Sequence, residues 1–201
     1  PHPRILWTQE RIERGRAWFW QSQWAPDPAI PIEGAMMFAL DNNYIEFGKA
    51  AVDAVMGFEI DEGELAAVAS DTYRWNDWVP VVYDWCYDLF TPEQRVEFET
   101  RYGWYVEVMR QKSWGGDASG MIWLNYFWGM LRNEVLFAIA AGNQNVLDQT
   151  LDTRWANFRD WTQGDGGVPQ DSSSYGRYHL AYPVLPFIAL ADLGQDLLLE
   201  T

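Results

Sequence analysis

The sequence predicts an all-α domain of helix pairs stacked in two layers, and three observations lead there. Apolar residues recur at helical spacing along most of the 201 residues. No segment carries the strict apolar–polar alternation of a half-buried strand. The helical segments also differ in character: 72–90, 121–141 and 174–193 are apolar almost all round, while 92–112 and 145–163 are more polar. A helix apolar on every side belongs inside, and one with a polar face belongs outside.

The elements follow in order. Thr8 is placed to cap a helix from Gln9 to Gln21, with Glu10 and Glu13 near its positive end. Ala25 to Pro31 breaks it. Asn43 to Phe58 reads as a second helix, with Tyr44, Phe47, Ala51, Val55 and Phe58 on one stripe, and Glu64 to Ala69 as a short piece. The clearest boundary is Thr91-Pro92-Glu93-Gln94, a capping Thr, a Pro at the first helical position and acids suited to the dipole. Ser113 to Gly120 reads as a loop. Gly142-Asn143 should end the helix from Met121, Gly164 to Gly167 the one from Asn145, and Pro183 and Pro186 should interrupt the last. No fixed-period repeat is present, so residues 1–201 form a single domain of structural hairpins. The sequence stops just after a helix, and a closed ring of hairpins would need more of them, so a piece of a longer protein is expected.

Composition excludes several functions. Hydrophobic residues make up 48%, too many for a disordered chain, and no apolar run is long enough to span a bilayer. A formal charge of −15 speaks against nucleic acid as a partner, because phosphate binding needs clustered Lys and Arg. The lone Cys86 cannot form an internal disulfide and reads as a buried apolar residue. The surplus is aromatic: 13 Trp, 10 Tyr and 10 Phe. Most should be core, and the remaining indoles are expected to line a cleft, where their faces can stack on sugar rings.

No metal-ligand spacing, nucleophile elbow or phosphate loop is present, and no cofactor is expected. His2, at the terminus, reads as incidental. Three segments could carry chemistry. In Gly164–Tyr182 a glycine-rich turn leads into a helix with Tyr175, Arg177, Tyr178 and His179. Tyr175 and Tyr178 share a face that Tyr182 continues; the bland alternative is a core stripe beside a snorkelling Arg. Asn125 is an amide in an apolar helix beside Tyr126, and must be hydrogen-bonded or face a cleft. Arg74, Trp75 and Trp78 form an aromatic cluster with a cation, suited to sugar rings or to core packing. The acids Asp84, Asp88, Glu134, Asp165 and Asp171 could in principle supply a glycosidase carboxylate pair, though each alone reads as solvated or capping.

Three stretches together resemble the helical N-terminal part of the heparinase II/III-like polysaccharide lyases. These are the opening HPRILWTQERIERGRAWF, then YDWCYDLFTPEQR, then GDGGVPQDSSSYGRYHLAYPVLPF, in that order along nearly the whole chain. The resemblance implies an incomplete (α/α) toroid, followed in full-length members by a β-sandwich domain, and β-elimination on an acidic, uronate-containing polysaccharide. It implies Asn125 as neutraliser of the uronate carboxylate and Tyr178 or Tyr175 as acid/base. Arg74, Trp75, Trp78, Tyr126, Arg177 and His179 would then serve in substrate binding. Tyr126 stands where the family often has His, and the second catalytic His lies in parts of such lyases beyond Thr201. Arg74, Arg132 and Arg177 are the cations available to offset the negative chain. A secreted or periplasmic setting goes with this reading. Its alternatives are a non-catalytic carbohydrate-binding or structural toroid module, whose partner would be a glycan or another chain, and an (α/α) glycoside hydrolase.

Overall fold

The computed structural model describes residues 2–23, 25–60, 76–111, 125–157, 159–160 and 176–197, without the side chains of 111, 125, 126 and 176–181. Among the described residues there are eight α-helices and no strand: α1 (Gln9–Gln21), α2 (Pro31–Leu40), α3 (Ile45–Met56), α4 (Trp78–Trp85), α5 (Pro92–Gln111), α6 (Asn125–Ala141), α7 (Gln144–Thr150) and α8 (Gly176–Asp192). No helix is long and apolar enough to cross a membrane among those residues.

The caps are where local chemistry places them. Thr8 accepts from the Arg11 amide at 3.2 Å. Thr91 and Gln94 form a reciprocal capping box: Oγ1 of Thr91 accepts from the Gln94 amide, and the Gln94 side chain accepts from the Thr91 amide. Gly142 ends α6 at φ +66°, with the Asn143 amide reaching back to the Ala138 carbonyl and the Gly142 amide to that of Ile139. Asn143 then caps α7 through the Val146 amide.

Several elements depart from the sequence reading. Of the expected helix 72–90, the described residues are α-helical from Trp78 to Trp85 and then turn 3-10 at Tyr87–Leu89. The Pro-rich break runs directly into α2, whose first residue is Pro31. The second expected helix begins with a 3-10 turn at Asn42–Tyr44, and its stripe divides: Ala51 and Val55 are buried, Tyr44 and Phe47 only partly so. Pro183 and Pro186 sit inside an unbroken α8. Each proline removes one backbone donor, and the buried row of Phe187, Ala189 and Leu190 holds the helix in place. A π-helical turn at Leu151–Trp155 follows α7.

Alternate helices pack side by side: α2 on α4, α4 on α6, and α6 on α8. The others lie against this row, α1 on α2, α3 on α2 and α4, α5 and α7 on α6. The core sits between the two sets. Every residue of α4 after Trp78 is buried, and α5 contributes the stripe Phe98, Tyr102, Tyr105, Val106 and Met109. Tyr102 meets Phe137 of α6 at 5.5 Å between ring centroids.

The N-terminal segment ties the row together at one end. The buried Asp84 carboxylate accepts from the backbone amides of Arg4 (2.8 Å) and Ile5 (2.7 Å) and from Nδ1 of His2 (2.6 Å). A carboxylate only accepts, so Nδ1 of His2 carries the proton. The His2 ring stacks on Tyr87 at 3.7 Å, so a residue that reads as incidental in sequence is an anchor. The Trp85 indole donates to the Ile5 carbonyl at 2.9 Å. Beyond it, Arg4 donates to the Ile139 carbonyl in the last turn of α6, Arg16 to the Leu40 carbonyl at the end of α2, and Arg11 pairs with Asp192, the last residue of α8.

Two predictions test this packing. Asp84→Ala leaves two amides of the N-terminal segment without an acceptor and should cost about 2–4 kcal/mol in urea denaturation. His2→Ala removes one donor, from a side chain only 8% exposed, and should cost less, about 1–2 kcal/mol. Equal losses would show that the imidazole, rather than the backbone, carries the anchor. Separately, burial pushes the Cys86 thiol up to about 12, so native protein at pH 8 should leave a thiol-reactive chromophore unconsumed until denaturant is added.

Candidate functional site

Because the C-terminal ends of α4, α6 and α8 converge on residues 4–11 and the helices pack in sequence, the three run in the same direction. Their N-terminal ends therefore share the opposite end of the molecule. Trp78 opens α4, and Asn125 and Tyr178 lie in the first described turns of α6 and α8.

Two side-chain contacts fix how these ends meet. The Arg132 guanidinium of α6 lies 4.5 Å from the ring centroid of Tyr182 on α8, and its Nη2 is 2.8 Å from Oδ1 of Asp77, just before α4. Asn125 lies two turns before Arg132, and Tyr178 one turn before Tyr182. At a 1.5 Å rise per residue these offsets are about 10 Å and 6 Å, so both positions lie on the same side of that contact, toward the site end.

A hydrogen-bonded network backs this end. The Asn76 amide donates to the Tyr105 hydroxyl (3.1 Å), and the Tyr102 hydroxyl lies 3.0 Å from the Asn76 carbonyl and 3.2 Å from the Asn133 side-chain oxygen. One hydroxyl proton serves one of those acceptors at a time. Asn76 and Asn133 are both buried. The sequence signal for the network is the pair Asn133-Glu134 inside an otherwise apolar helix, which demands partners.

Not every candidate comes together here. Trp78 is half-buried, its ring edge-on to Phe58 at 6.0 Å, so it joins the packing as well as the rim. Asn125, Tyr126, Arg177, Tyr178 and His179 are placed as helix backbone, at the starts of α6 and α8. Arg74, Trp75 and Tyr175 lie outside the described residues, as do Asp165, Asp171 and the segments 64–69 and 113–120. Of the described exposed indoles, Trp18 and Trp20 stand on α1, and Trp104 on α5, next in sequence to the Tyr105 of that network.

Two of the acids are committed elsewhere. Asp84 holds the N-terminal segment. Glu134, fully buried, accepts from Nε of Arg154 (2.9 Å), lies 3.0 Å from the Thr150 hydroxyl and 3.9 Å from Arg110, and so joins α5, α6, α7 and the π-turn. Neither reads as solvated, and neither has a free carboxylate edge for a glycosidase role. Among the described residues no three of His, Cys, Asp and Glu gather as a metal site. Family models, curated proteins and solved structures give no match to this chain.

Electrostatics at the site end are set by Asp77 and Arg132. Burial raises the Asp77 carboxyl above the ordinary carboxylate range, and the Arg132 guanidinium offsets this only in part. A carboxyl that binds its proton more tightly folded than unfolded adds stability below the unfolded value, and loses that contribution as pH rises through the folded one. Relative to Asp77→Asn, the unmodified protein should therefore gain thermal stability as pH falls from 7 toward 4. Paired melting curves at the two pH values measure the difference, and the shared acid sensitivity of other groups cancels.

Proposed function

We propose that this chain is the toroid-type helical part of a polysaccharide lyase acting on uronate-containing chains. The observation that carries the reading is the common direction of α4, α6 and α8, which brings the positions of Trp78, Asn125 and Tyr178 to one end of the row. The alternation of row helices with helices lying against them also fits an (α/α) hairpin toroid.

β-Elimination requires three things of such a site. The uronate carboxylate must be neutralised so that the C5 proton becomes acidic, a base must remove that proton, and an acid must protonate the departing O4. In this reading the Asn125 amide hydrogen-bonds the carboxylate, and Tyr178 or Tyr175 moves the proton. Arg177, His179 and Tyr126 grip the substrate beside them, with Arg74, Trp75 and Trp78 offering ring faces and charge along the chain. The bond broken is C4–O4, and the product carries a C4–C5 double bond conjugated with its carboxylate.

The overall charge of −15 opposes a polyanion only if charge is spread evenly. The dipoles of α4, α6 and α8 are aligned with their positive ends toward the site end, so the field there is not set by net charge alone.

The test is absorbance near 232 nm during incubation with alginate, polygalacturonate, hyaluronan and heparan sulfate. One of them should give a rising signal. Asn125→Ala and Tyr178→Phe should each lower kcat/KM on that polymer by about 10²–10⁴-fold with helical content unchanged. No rise with any uronate polymer sinks the reading.

A further inference from the structure

We draw no further inference here: the strongest candidate, the cavity between the π-helical turn at Leu151–Trp155 and the stretch Gly194–Leu197 that follows α8, carries nothing because no described residue shows what fills it, the chain running on from both of its walls into 161–175 and 198–201, outside the described residues.

Discussion

A row of helices running in one direction gathers its negative ends in one place, and this fold depends on how those ends are met. The last carbonyls of a helix have no partner within it and carry the negative end of the macrodipole. In α2, α4, α6 and α8 these ends are neighbours, so like partial charges stand together. The segment from His2 to Arg16 answers with three guanidiniums, on the Leu40 carbonyl, the Ile139 carbonyl and Asp192, and with two backbone amides and an imidazole on Asp84. Gly142 is part of the same device. A Cβ there would stand 3.0 Å from Nη1 of Arg4, and its φ of +66° already favours glycine. The α3 end is met by the same chemistry from a different element, since Arg101 of α5 donates to the Val55 and Met56 carbonyls.

This arrangement explains how so acidic a chain uses few cations. Of 14 Lys and Arg, Arg4, Arg11, Arg16 and Arg101 serve helix ends, Arg110 and Arg154 serve Glu134, and Arg95 donates to the Tyr87 carbonyl with its guanidinium 3.9 Å from that ring. Cations are placed where backbone or buried carboxylate needs them, and most carboxylates stand on solvated faces. The field at the site end is therefore governed less by the sum of charges than by aligned peptide dipoles and by the Asp77–Arg132 pair.

What could be read from the sequence follows from range. Thr8, the Thr91 box and Gly142 act within one helical turn, and each cap lies where the sequence puts it. The apolar character of 72–90, 121–141 and 174–193 likewise marked the segments that hold α4, α6 and α8. α2 escaped notice because its ten residues follow Pro26, Pro28 and Pro31, and local signals for a break and for a helix start coincide there. The continuity of α8 through two prolines depends on packing against α6, which no local rule contains. The anchoring of His2 by Asp84 spans 82 positions and has no signature at either end. At the candidate site, the order of motifs supplied the residues, and only the direction of three helices supplied their common end.

The aromatic surplus divides in the same way. Trp85, Trp128 and Trp155 are buried, as core packing requires, and the Trp85 indole N–H has found a backbone carbonyl. Trp18, Trp20 and Trp104 break that pattern and stay exposed on α1 and α5, Trp20 with two rings, Phe19 and Tyr44, against it. Core indoles are explained by the helices they join, and a singly exposed one is ordinary on a surface that is largely apolar in any protein. The same helix that carries two of the exposed indoles, α1, also fastens the C-terminal ends of the row through Arg11 and Arg16, so its exposed side follows from a role played by its other side.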